Sequence, residues 1–91
     1  MSRPQFTEQA WNEYMYWHVQ DKKTLKKINK LISDIMRNGA LTGEGKPELL
    51  KGDLAGYCSR RINEKDRLIY KVLDENIVEI YSCKDHYSNV I

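Results

Sequence analysis

At 91 residues, 41% of them hydrophobic and 31% charged, the chain is expected to make one small domain that buries roughly 60 to 65% of its unfolded surface, so its core is modest and a stabilising partner suits it. The formal charge of +2 conceals an uneven distribution: from Lys22 to Arg67 there are 12 Lys and Arg against 6 Asp and Glu, while the segments on either side each come to −2. The 2 cysteines, Cys58 and Cys83, are too few for a secreted disulfide scaffold and lack metal-ligand spacing. No apolar run approaches the roughly 18 residues of a membrane span and no leader opens the chain, so a cytoplasmic protein without membrane or metal is expected.

Taken in order, Ser2 to Phe6 reads as a strand, which Pro4 confines to an edge or a strand's start because it has no N–H to donate. Thr7 is placed to cap a helix running from Glu8 to about Gln20, in which Ala10, Trp11, Tyr14, Trp17 and His18 share one arc. That aromatic arc is expected to face the core, with His18 part of the face and not a ligand. A second helix is expected from Lys22 or Lys23 to Arg37, with Leu25, Ile28, Leu31, Ile32, Ile35 and Met36 on one stripe and Asn38-Gly39 as the stop. Its other face carries Lys23, Lys26, Lys27, Lys30 and Arg37 against Asp34, which suits either a solvated surface or a contact for RNA or an acidic partner. The very short connection makes the two helices a hairpin.

From Gly39 to Gly56 the glycines and Pro47 predict mostly loop. GEGKPE lacks the four-residue spacer and the Ser or Thr that a phosphate-binding loop needs. Three strands are expected next, Tyr57 to Ile62, Arg67 to Leu73 and Ile77 to Cys83, joined by turns at Asn63 to Asp66 and Asp74 to Asn76. Short connections make them an antiparallel meander. The expected fold is α+β, in the order β-α-α-β-β-β, with a helical hairpin on one face of an antiparallel sheet.

The groups that carry chemistry gather between Gly45 and Val72, with a further set at Lys84-Asp85-His86-Tyr87. A loop holds Glu48 with Lys46 and Lys51; the next strand bears Arg60 and Arg61; the one after alternates Arg67, Ile69 and Lys71 with Leu68, Tyr70 and Val72. At period two this makes one face apolar and the other largely cationic. A carboxylate, arginines and a terminal histidine are the parts needed to cleave a phosphodiester without metal: a base for a ribose 2'-OH, cations for the phosphorane, an acid for the leaving 5'-oxygen. Composition alone does not bring them together. Singly, Glu48 also reads as a surface partner of Lys46 or Lys51, Arg61 and Arg67 as solvent-facing strand residues, and Tyr87 as a packing aromatic.

From about Phe6 to Tyr87 the sequence resembles the YoeB toxins of bacterial toxin-antitoxin modules, within the wider RelE-like superfamily of messenger-RNA endonucleases. The signatures are W-x-x-Y-x-Y-W from Trp11 to Trp17, KKIN from Lys26, GKPE ending at Glu48 and followed by Leu50-Lys51, SRRI from Ser59, RLIY from Arg67 and DHY from Asp85. The resemblance implies ribosome-dependent cutting of mRNA in the decoding A site, without a cofactor, and inhibition by a YefM-type antitoxin, in a complex with an antitoxin dimer. A toxin homodimer is a further expectation. It implies Glu48 as general base, His86 as general acid, Arg67 on the scissile phosphate, Lys51 and Arg61 as added positive charge and Tyr87 as an RNA-positioning residue. Lys46, Arg60 and Lys84 are expected to bind RNA rather than to catalyse. The rival from another class is a non-enzymatic interaction protein on the same scaffold, either a gyrase-inhibiting toxin or a silent repressor partner.

Overall fold

A computed structural model of the chain describes residues 3–74 and 77–85. Its elements are β1 (Arg3–Phe6), α1 (Glu8–Gln20), α2 (Lys22–Asn38), β2 (Glu48–Leu49), a 3-10 turn (Gly52–Leu54), β3 (Cys58–Arg61), β4 (Arg67–Asp74) and β5 (Ile77–Ser82). They form one five-stranded sheet in the order β1-β5-β4-β3-β2. The β3-β4-β5 meander is antiparallel, as its short turns require. Two features of the sheet depart from the sequence reading. β1, carrying Pro4, does lie at an edge, but it runs parallel to β5, so the sheet is mixed. Within the segment expected to be mostly loop, Glu48 and Leu49 pair with Ser59 and Cys58 and extend the sheet by a fifth strand.

The helical hairpin is held by its polar ends. Thr7 Oγ1 accepts from Ala10 N and donates to the Tyr81 carbonyl, fixing the start of α1 to β5. Asp21 separates the helices; its carboxylate accepts from the Thr24 hydroxyl and from the main-chain N–H groups of Lys23 and Thr24, which hold its pKa below the ordinary value.

α2 packs as its stripe demands. Leu25, Ile28, Leu31, Ile32 and Ile35 are buried against Cys58, Leu68, Tyr70, Val78 and Ile80 of the sheet, each large aliphatic side chain contributing about 1.5 to 3 kcal/mol by leaving water. α1 does less than its aromatic arc suggests, because it meets the sheet chiefly at β5 and β1. Ala10 and Trp17 are buried, but Trp11 is 48% exposed and His18 faces solvent. The rings of Phe6, Trp11, Tyr14 and His18 instead pack on one another along the flank, with centroids 5.0 to 5.9 Å apart. Cys58 and Cys83 are buried free thiols, and burial pushes both up in pKa, Cys83 to about 12.

The most consequential departure is Arg60. It was expected among the RNA-binding cations, yet it is wholly buried. β3 pairs Arg60 with Leu68 on the apolar, helix-facing side of the sheet, so strand alternation carries its side chain under α2. There Nε donates to the Tyr70 hydroxyl, Nη1 to Asp34 and the Glu44 carbonyl, and Nη2 to the carbonyls of Gly39 and Thr42. All the guanidinium donors are thereby used within the protein. The loop can close this tightly because its glycines leave room. At Gly43 (φ +121°) a Cβ would overlap the Asp34 carboxylate, and at Gly45 (φ +84°) it would press on Leu31 and Arg60.

Asp34 is held below its ordinary pKa of 3.8, first by the Arg60 hydrogen bond and then by the Glu44 N–H. A carboxylate depressed in the folded state contributes stability that is complete above the unfolded value and lost as pH falls through the folded one. Urea unfolding measured below pH 4 should therefore show a shallower acid loss for Asp34→Asn than for the wild type, from a lower stability at neutral pH. Arg60→Ala, which leaves Asp34 and three carbonyls without their donor, is expected to cost about 3 to 5 kcal/mol in the same measurement at pH 7.

Candidate active site

The face of the sheet turned away from the helices carries the charged groups. Ser59 and Arg61 alternate with Cys58 and Arg60 on β3, and Arg67 and Ile69 with Leu68 and Tyr70 on β4. The register sets Glu48 opposite Ser59, Ser59 opposite Ile69, and Arg61 opposite Arg67. A cleft of about 100 Å³ lies over these positions, lined by Lys46, Glu48, Ser59, Arg61 and Arg67. Its position is secured by a small second core of Leu50, Leu54 and Ile69 with Tyr57 and Tyr81 packed against it. Main-chain bonds from Leu50 N to the Tyr57 carbonyl (2.9 Å) and from Arg61 N to the Gly45 carbonyl (2.6 Å) hold the incoming loop to β3.

The electrostatics of the cleft are unbalanced in a way that favours an anion. Arg61 and Arg67 face each other directly across two strands, an arrangement that destabilises unless something negative lies between or over them. The Arg67 Nε is buried and has no hydrogen-bond partner among the described residues. Lys46, at the rim, is held at φ 51°, a left-handed conformation that non-glycine residues adopt rarely and at a cost. Glu48 does not neutralise this charge. The ion pairs among the described residues are Lys27–Glu44, Lys30–Glu44, Arg60–Asp34 and Lys84–Asp85, so the surface pair of Glu48 with Lys46 or Lys51 does not form.

Of the residues singled out in the sequence, the fold thus brings Lys46, Glu48, Arg61 and Arg67 to one cleft. Lys51 stands outside that lining, exposed at the start of the 3-10 turn. Lys84 is also outside it: its Nζ lies 4.9 Å from the centre of the Tyr16 ring and 3.4 Å from the Asp85 carboxylate. Partial burial works against its charge, but Asp85 prevails and its pKa is raised. Arg60 is withdrawn into the core, and His86 and Tyr87 lie outside the described residues. One cleft residue was missed, Ser59, which is 2% exposed and sits between Glu48 and the arginines. Its signal was present in the alternation of SRR, which puts the serine on the face of the second arginine, not the first. Among the described residues no group of three or more His, Cys, Asp or Glu is arranged to hold a metal ion, and no helix is long and apolar enough to cross a membrane.

These features define a small α+β protein with a basic, anion-ready cleft on the open face of its sheet. Residues 6–87 match the family model of the YoeB-like toxin of bacterial type II toxin-antitoxin systems. The chain is 49% identical over 82 residues to the toxin YoeB of Streptomyces coelicolor, covering 90% of this chain and 95% of the relative. The YoeB dimer from Staphylococcus aureus superposes with a TM-score of 0.88 at 53% identity, covering 94% of this chain and 98% of that one. A heterotetrameric YoeB-YefM toxin-antitoxin complex from the same organism contains a chain that matches at a TM-score of 0.88 and 53% identity, covering 96% of this chain and 99% of that one. The chain belongs to the YoeB family of toxins from type II toxin-antitoxin systems.

The facing arginines yield a stability test independent of any substrate. Arg61→Gln removes one of two like charges set opposite each other and should raise stability by a few tenths of a kcal/mol, about 0.2 to 1. Thermal unfolding in low salt measures the gain, and it should shrink in about 1 M salt, where the screening length falls to about 3 Å.

Proposed function

We propose that this toxin is a ribosome-dependent, metal-independent endoribonuclease that cleaves mRNA in the decoding A site and so arrests translation. The observation that carries the reading is the gathering of Glu48, a carboxylate in no ion pair among the described residues, with the facing pair Arg61 and Arg67 in one cleft. Glu48 takes the proton from the ribose 2'-OH. The freed oxygen attacks the adjacent phosphorus, and the bond from phosphorus to the 5'-oxygen breaks. Arg67 and Arg61 stabilise the charge on the phosphorane, which is where preorganised donors act most strongly. His86 gives a proton to the departing 5'-oxygen. The products are a 2',3'-cyclic phosphate and a 5'-hydroxyl, and DNA, without the 2'-OH, is not a substrate.

Around that reaction, Lys46 and Lys51 add positive charge along the path of the RNA, Lys84 lies farther out on the same route, and Tyr87 positions the nucleotide. The family relationship supports a YefM-type antitoxin as the protein that silences the toxin, since a YoeB of Staphylococcus aureus at 53% identity forms a heterotetramer with YefM. The dimer of the Staphylococcus aureus relative supports a toxin homodimer. Its site of action is the cytoplasm, where mRNA is decoded.

Purified toxin added to ribosomes programmed with a defined mRNA should cut within the A-site codon and leave an upstream fragment ending in a cyclic phosphate. Glu48→Gln and His86→Ala should each lower the cutting rate by about 10² to 10⁴-fold while still binding the antitoxin. A 2'-deoxy nucleotide at the attacking position should abolish the cut. Intact mRNA in the presence of folded, antitoxin-free wild-type toxin would overturn the assignment in favour of an interaction protein on the same scaffold.

A further inference from the structure

Asp85, the residue before His86, is held from both sides of its main chain by two consecutive residues at the start of β4. The Asp66 carboxylate accepts from Asp85 N at 2.7 Å, and Arg67 N donates to the Asp85 carbonyl at 3.0 Å. Asp85 needs such a grip, because it lies at φ 65°, in the left-handed region. The approach is also secured: Cys83 N donates to Glu13 at 2.8 Å, and the Trp17 indole N–H donates to the Cys83 carbonyl at 2.9 Å.

A turn between β3 and β4 does not by itself explain Asp66. The turn is closed by Asn63, whose side-chain oxygen accepts from Lys65 N and Asp66 N, and by the Ile62 N–H on the Asp66 carbonyl. The Asp66 carboxylate is nonetheless buried, at 4% exposure, with one oxygen taking the Asn63 amide and the other reaching across 19 residues of chain to Asp85. Burying a carboxylate is unfavourable unless its oxygens are used, and here both are. The next residue, Arg67, is the one whose side chain lines the cleft.

We infer that Asp66 is a positioning residue, which together with the Arg67 N–H grips Asp85 and so ties the residue that precedes His86 in the sequence to the start of the strand that carries Arg67. The inference rests on the ribonuclease reading for the role of His86, but the grip itself can be measured without any RNA.

Amide hydrogen exchange followed by NMR on the free toxin should show the Asp85 N–H protected in the wild type. In Asp66→Ala its exchange should rise at least tenfold while the amides of β4 and β5 stay protected; unchanged exchange at Asp85 would overturn the grip. Where Asp66→Ala does not fold, Asp66→Asn serves, since it keeps the shape but cannot accept from both Asn63 and Asp85. On programmed ribosomes Asp66→Asn should lower kcat about tenfold with KM little changed, and should cost nothing further in a His86→Ala background. An equal loss in both backgrounds would show that Asp66 does not act through residue 86 and would overturn the positioning role. A wild-type toxin that protects Asp85 yet cuts no ribosome-bound mRNA would count against the ribonuclease reading, and the exchange result would then stand alone in support of the grip.

Discussion

The Arg60 guanidinium is the interaction on which the functional half of the molecule depends. It joins α2 through Asp34, β4 through the Tyr70 hydroxyl, and the loop after α2 through the carbonyls of Gly39, Thr42 and Glu44. Placing a cation where no water reaches it is unfavourable by several kcal/mol unless every donor is used. Complete saturation meets that condition and fixes the course of the loop as a consequence. The loop then leaves Arg60 at Gly45, whose carbonyl accepts from Arg61 N, and passes straight into Lys46 and Glu48. A buried charge on the helix side of the sheet thus determines where the cleft residues arrive on the other side.

Two neighbouring arginines therefore have opposite fates, and the difference is purely one of register. Arg60 pairs with Leu68 and goes under the helices; Arg61 pairs with Arg67 and goes to the cleft. Exchanging their roles would need a one-residue slip of β3, which would also turn Cys58 out of the core and bury Ser59 among apolar side chains. The glycines of GEGK acquire an explanation in the same way. They resemble a phosphate-binding loop in composition, but their backbone curls around a guanidinium, supplying carbonyl oxygens to a cation where such a loop supplies N–H groups to an anion.

How much of this was legible in the sequence follows from how local each cause is. α2 was readable because Leu25, Ile28, Leu31, Ile32 and Ile35 repeat at helical spacing and their burial follows from that pattern alone. The meander was readable because its strands alternate and its turns are short. The aromatic arc of α1 was misjudged because the position of a helix over a sheet, near the edge or at the centre, leaves no trace in its own periodicity. β2 escaped notice because two residues after Pro47 carry no strand pattern, and they pair only because the Arg60-bound loop delivers them beside β3. Glu48, Arg61 and Arg67 could be named from the family signatures, but nothing local distinguishes Arg60 from Arg61 until β3 is paired with β4.

The separation of charges within the cleft has a chemical logic of its own. Glu48 belongs to the Ser59 and Ile69 row of the sheet, whereas Arg61 and Arg67 belong to the adjacent row on the same face, about 6.5 to 7 Å away by strand geometry. A glutamate placed directly across from either arginine would close into an ion pair, which would both lower its basicity and fill the place of an anion. One row of separation keeps the carboxylate and the guanidinium groups apart while leaving both, on the proposed reading, within reach of a ribose and its 3'-phosphate. Among the described residues no carboxylate pairs with either arginine, so the repulsion between them is not relieved there. Under the proposed ribonuclease reading, that repulsion is what lets a phosphate be bound more strongly as its charge grows, since the gain from neutralising the pair is greatest when the ligand carries the most negative charge.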